Sequence, residues 1–217
     1  MLDALEAVAA DLVPENHRDI PVEDLLEIQA KIAMRAFSFA TAGMPFAPIL
    51  GHKPLDEDTF HQRLYAAIQR VPILIGYNKD EGTAFVPLFN RVEASVRPTP
   101  KESPAEFIAK TWFQNHTDEF YQKIQQAGPS EQPRFYRFNI SPGQSPWGAT
   151  HTIELPFILG SWAEWKDAPM MKGENVREIV EKVGDEMKKL WVAFASGDDV
   201  GRREFVIDEA FSLGREE

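Results

Sequence analysis

The chain predicts an α/β protein: a few mostly parallel strands with flanking helices, in a sheet left incomplete within these 217 residues. Two observations carry the class. Stretches with apolar residues at helical spacing alternate with short apolar or aromatic runs, and the runs are bounded by proline, glycine or asparagine. Their order is helices, strand, helix, strand, helix, strand. A third observation carries the incompleteness, because two or three strands are too few for a doubly wound sheet whose buried strands need neighbours on both sides. The length allows one domain or a large piece of one, and 43% apolar residues suffice for a core.

The elements follow in chain order. Leu2, Leu5, Val8, Ala9 and Leu12 lie at helical spacing, and Pro14 closes that stretch. Val22 to about Phe37 is a second helix, with Leu25, Leu26, Ile28 and Ile32 among polar positions. Residues 41–53 hold Gly43, Pro45, Pro48 and Gly51 and read as an irregular loop. Asp56 to Arg70 suits a helix whose acidic start, Asp56-Glu57-Asp58, favours the positive end of the helix dipole. Ile73 to Tyr77 is an unbroken apolar run, expected as a strand buried on both faces. Ser103-Pro104-Ala105-Glu106 starts a helix with Ser as N-cap and Pro at the first position, running to about Gln126 before Gly128-Pro129. Phe135 to Ile140 is an aromatic strand. Val176, Ile179, Val180, Val183, Met187, Leu190, Trp191 and Phe194 trace one face of a long helix ending near Gly197, and Phe205-Val206-Ile207 forms a late strand.

Composition excludes several functions. A formal charge of −11 argues against nucleic acid and against an anionic membrane surface, since both need concentrated Lys and Arg. No apolar run approaches the roughly 18 residues of a membrane span. Zero cysteines rule out disulfides, thiol catalysis and cysteine-based zinc sites. With an acidic N-terminus that lacks a secretory pattern, they favour a cytoplasmic location. His52 and His61 are not spaced as metal ligands from one helical turn, and no glycine-rich phosphate loop occurs.

Two residues stand where chemistry gathers, just past the carboxyl ends of strands. Glu81 lies in Gly76-Tyr77-Asn78-Lys79-Asp80-Glu81-Gly82-Thr83, after the first strand; a turn or cap role is its bland alternative. His151 follows the second strand and a loop rich in Pro and Gly; alone, it could equally be a surface or core histidine. Together they match the order acid then histidine of serine hydrolases.

Gly76 to Phe85 resembles the acid-bearing segment of the type-B carboxylesterases, the family of cholinesterases and bacterial p-nitrobenzyl esterases. Gly148-Ala149-Thr150-His151-Thr152-Ile153-Glu154-Leu155-Pro156-Phe157-Ile158-Leu159-Gly160 is similar to that family's histidine segment. Pro133 to Phe138, Trp191 to Gly197 and, faintly, Phe46-Ala47-Pro48-Ile49 support the match, which runs from about Phe46 to Leu213. The resemblance implies the C-terminal portion of one α/β-hydrolase domain, with residues 1–45 as a helical lead-in and 46–217 bearing acid and base. It implies that Glu81 orients His151 and that His151 moves the serine's proton. Asp80 would shape the turn, and Glu154 would be a structural residue of the motif. Phe157, Trp162 and Trp165 would line an acyl or alcohol pocket or else pack in the core. The substrate would be a small-molecule carboxylic ester, with no cofactor or metal.

The departures matter as much. No Gly-x-Ser-x-Gly pentad occurs; Gly143-Gln144-Ser145-Pro146-Trp147-Gly148 comes nearest, but its second glycine is one place late and it follows the acid. The glycine-rich oxyanion loop is absent too, and such donors supply about 3 kcal/mol of transition-state stabilisation. The 81–151 segment is compact for the family, and the stretch after Gly197 is abbreviated to Asp198–Glu204. The expected chain is therefore the half that supplies acid and base, inactive alone, its partner a missing N-terminal half or a complementing chain. A non-catalytic, esterase-derived interaction protein, a truncated gene product and an unrelated α/β domain are the alternatives.

Overall fold

A computed structural model describes residues 17–36, 50–91, 99–129, 131–160 and 162–213, with a few isolated positions besides. Of the first expected helix only Glu6, Ala7, Ala9 and Ala10 are described, all helical; its other residues, the Phe46–Ile49 motif apart from Pro48, and most of the 41–53 loop lie outside the described residues. Two compact units divide the chain: residues 1–64 with 88–99, and residues 65–87 with 100–217.

In the first unit, helix α1 spans Val22–Ala36. Helix α2, Glu57–Ile68, begins there. Asp56 caps it, its Oδ1 accepting from the Thr59 N–H at 3.1 Å, so the acidic triplet opens the helix as its charge pattern predicts.

The second unit holds a parallel sheet of β1 (Leu74–Asn78), β2 (Arg134–Phe138) and β3 (Glu204–Ile207), in that order. Leu74 pairs with Arg134 and Asn78 with Phe138; Phe135 pairs with Glu204 and Phe138 with Ile207. Each expected strand forms, the first two displaced by a residue or two. Between them come the short helix α3 (Val86–Arg91), then α4 (Pro104–Ile108), a π-helical stretch (Ala109–Gln114) and α5 (Asn115–Gln126). The start at Ser103 is as the sequence indicates, with its hydroxyl accepting from the Glu106 N–H and Pro104 at the first position. The single helix expected to Gln126 is instead interrupted by the π stretch. After β2 come α6 (Leu155–Ile158), α7 (Trp162–Trp165) and α8 (Val176–Ser196), the last stopped by Gly197 at φ 78°.

The core lies between the sheet and α8. Phe138, Phe205 and Ile207 point at Val180, Val183, Met187 and Leu190, all buried. The opposite face is covered through Phe135, whose ring packs on Tyr121 of α5 at 4.8 Å. On that face β3 shows Val206, half exposed, so β3 alternates outward and inward along its length.

One expectation is corrected. β1 is half-buried along its length up to the buried Asn78, where burial on both faces was expected. Its position explains this, because among the described strands it is an outer one, with a neighbour on one side only. The Arg134 N–H bonds Ile73 O and the Lys79 N–H bonds Phe138 O, so Leu74 and Gly76 turn their backbone groups away from β2, where no described residue pairs with them. Among the described residues no helix is long and apolar enough to cross a membrane.

Candidate active site

The site grows from the end of β1. Past Asn78 the chain enters a 3-10 turn, Glu81–Phe85, that folds the Glu81 carboxylate back over the strand end. One carboxylate oxygen, Oε1, accepts from the Asn78 N–H at 2.8 Å; the other, Oε2, lies 2.6 Å from His151 Nδ1. Glu81 is only 6% exposed, so a buried charge is matched by a donor at each oxygen.

The loop bearing His151 is fastened to this same turn. Asp80 clasps Ala149 twice: its N–H donates to Ala149 O at 2.9 Å, and its Oδ2 accepts from the Ala149 N–H at 2.8 Å. Gly148 makes the clasp possible, since a Cβ there would stand 2.4 Å from Asp80 Oδ2. The Thr83 hydroxyl lies 2.7 Å from both Trp147 O and Thr150 Oγ1. The Asn78 amide donates to Thr150 O at 3.0 Å and also to the Glu154 carboxylate, while its buried Oδ1 has no described partner. Residues 78, 80, 81 and 83 thus all grip the histidine loop. Thr152, next to the histidine, sits at φ 67°, which is strained for a β-branched residue, and its hydroxyl donates to His151 O at 2.6 Å.

This arrangement sets the imidazole chemistry. The Glu81 hydrogen bond raises the His151 pKa above its ordinary value; burial opposes it, and the charges of Glu81 and then Glu154 add to it. A carboxylate at Nδ1 favours the tautomer with the proton there, which leaves Nε2 as the acceptor. The imidazole side chain is 39% exposed, and Nε2 makes no hydrogen bond to a described residue. Such a nitrogen can take a proton from a hydroxyl and return it to a leaving group. Behind the pair, burial pushes the Tyr136 phenol strongly up, as do the Glu154 and Glu81 charges, so it stays neutral.

The other candidates are placed differently. Phe157 is fully buried against Phe138, ring centroids 5.0 Å apart, inside the α8 core. Trp162 and Trp165 pack on that core partly buried, with Trp165 Nε1 donating to Leu159 O at 3.0 Å. Ser145 is buried, its hydroxyl accepting from the Trp147 N–H after a 3-10 turn at Pro142–Gln144. A cavity of about 410 Å³ opens beside the acid turn, lined by Lys79, Thr83, Glu106, Lys110 and Gln114, but it includes neither Glu81 nor His151. The hydrogen bonds converge on the pair and not on that cavity. No group of His, Asp or Glu among the described residues could hold a metal.

Sequence reasoning missed Phe85 and Phe113, whose rings both pack on His151, and it missed the roles of Asn78, Thr83 and Thr150. An asparagine closing an apolar strand was a usable signal. Phe113 carried none, for its approach depends on the π stretch.

No family model matches the chain. It is 31% identical over 201 residues to a probable N-octanoylanthranilate hydrolase of Rhodococcus erythropolis, an alignment taking in 88% of this chain and 43% of that protein. It is 27% identical over 197 residues to a para-nitrobenzyl esterase of Bacillus subtilis (strain 168), covering 81% of this chain and 39% of the esterase. The chain is a relative of the type-B carboxylesterases. It spans less than half the length of either curated relative. For an esterase relative the fold is apt, since the parallel strands deliver an acid and a histidine at neighbouring strand ends.

Proposed function

We propose that this chain is the acid- and base-bearing, C-terminal portion of a carboxylic ester hydrolase domain, completed by a segment that supplies serine and oxyanion donors. The observation that carries the reading is the 2.6 Å contact between buried Glu81 and part-exposed His151, with Nε2 bonded to no described residue. In the completed site, Nε2 removes the serine proton as the serine oxygen bonds the ester carbonyl carbon. The resulting imidazolium, stabilised by Glu81, protonates the departing alcohol as the acyl–oxygen bond breaks. Water then repeats the sequence on the acyl-serine, releasing the acid.

Two further observations support a missing neighbour. The outward backbone groups of Leu74 and Gly76 offer an edge to another strand, and both curated relatives are more than twice as long as the aligned part. Likeness to the Rhodococcus hydrolase adds an N-acyl aryl amide to the proposed substrates, since a leaving amine needs the proton that Nε2 carries.

The test is hydrolysis of p-nitrophenyl acetate and of an N-acylanthranilate. The chain alone should not exceed its His151→Ala control. Supplied with a serine-bearing N-terminal half, such as that of the para-nitrobenzyl esterase, or assayed in its native polypeptide, it should turn over and lose that activity with His151→Ala. A nitrophenol burst from the chain alone would contradict the missing nucleophile. Turnover indifferent to His151→Ala in the native polypeptide would contradict the assigned base.

A further inference from the structure

Only one described polar contact, at Nδ1, holds the His151 side chain, and a single hydrogen bond leaves a ring free to rock about its axis. Its remaining neighbours are aromatic. The centroid of Phe85 lies 5.1 Å from that of the imidazole and the centroid of Phe113 5.0 Å from it, tilted by 56° and 40°. The two phenyl rings are 5.6 Å from each other, so the three centroids form a triangle in which the phenyls make a cradle for the imidazole. Trp112 backs Phe85 edge-on at 5.6 Å.

The two phenyls arrive by separate routes. Phe85 closes the 3-10 turn that Glu81 opens, so acid and first ring share one rigid piece. Phe113 belongs to the π-helical stretch Ala109–Gln114. A π turn carries one residue more than an α turn, and a register one residue shorter would swing Phe113 round the axis by about 100°. The stretch is fixed to the acid turn on both sides of Phe113. Before it, a Cβ on Gly82 would stand 1.9 Å from Ala105 O and 2.8 Å from Ala109 N, so the backbones meet there; after it, Gln114 Nε2 donates to Lys79 O at 3.0 Å. The distortion lies between two anchors and ends on the histidine.

We infer that Phe113, presented by the π-helical stretch, and Phe85 are positioning residues that confine His151 to the orientation with Nδ1 on Glu81 and Nε2 outward. The catalytic value of that orientation rests on the function proposed above; the confinement itself does not.

Nuclear magnetic resonance of the full chain tests this without any turnover. In the wild type, the carbon-bound ring protons of His151 should be displaced upfield relative to those of the other four histidines, and the Nδ1 proton should exchange slowly. Phe113→Leu should lose much of the displacement and shorten the Nδ1 proton lifetime by about two- to tenfold, the worth of one aromatic contact. Phe113→Tyr should restore both. A folded Phe113→Leu chain with unchanged His151 signals overturns the inference. So does a wild type without the upfield displacement, a measurement that stands even if Phe113→Leu fails to fold. Should the displacement be present while the completed protein hydrolyses no ester, the cradle stands and the function proposed above fails.

Discussion

Glu81 and His151 depend on each other, and pH should show it. The Glu81 hydrogen bond holds the imidazole pKa above its ordinary value, so a proton-accepting Nε2 becomes available only at a correspondingly higher pH. Glu81→Gln should lower the His151 titration midpoint, read by NMR, and in the ester hydrolase proposed above it should reduce kcat by about four orders of magnitude. An unmoved midpoint would contradict the pairing. The sign for stability follows from the same shift. A histidine whose folded pKa exceeds its unfolded value stabilises the fold fully below about pH 6.5, and that contribution fades as pH rises through the folded value. Solvent screens a side chain this exposed, so the effect is small. Thr152 makes an independent case: at φ 67°, Thr152→Gly should remove strain and stabilise the chain by about 1 kcal/mol in an unfolding curve, and a destabilised variant would contradict the strain. At this scale the sequence displayed Glu81 and His151 because their motif and order are local properties of the chain. It hid Phe113 and Thr150, whose value lies in distances across the fold.

Among the elements, those ruled by periodicity were legible and those ruled by contact were not. The α8 helix could be read from its apolar face and closing Gly197: Val176, Val180, Val183, Met187 and Leu190 of that face are buried and Ile179, Trp191 and Phe194 partly so, while the buried Gly184 gave no such signal. The start of α4 could be read from Ser103-Pro104. The π stretch could not, since Lys110 to Gln114 carries no proline or glycine to break a regular helix. β1 reads from its apolar run as a doubly covered strand, but apolar character reports a strand's preference and not whether a neighbour is there to meet it. The approach of the π stretch to the acid turn makes one sharp prediction. Gly82→Ala puts a methyl within 1.9 Å of a backbone oxygen, so the helix must move, at a cost of about 1–3 kcal/mol. A fall of several degrees in Tm is expected from calorimetry, together with altered His151 resonances; an unchanged Tm would mean the contact is loose.

For the molecule as a whole, the consequence of an outer β1 is exposure. Its free backbone edge and half-buried apolar side chains should make the isolated chain self-associate or bind a hydrophobic dye. Size-exclusion chromatography and dye fluorescence measure this, and a cooperatively melting monomer without dye binding would contradict it. The relatives' length and the edge position of β1 agree with the shortage of strands read from the sequence, and both support the completing segment proposed above. The central claim is that Glu81 and His151 serve a serine outside this chain. The most direct measurement is mass spectrometry of the native polypeptide after labelling with a fluorophosphonate. The label should sit on a serine beyond these 217 residues and be lost with His151→Ala; a label on Ser145 or another serine of this chain, or labelling indifferent to His151, would contradict the account.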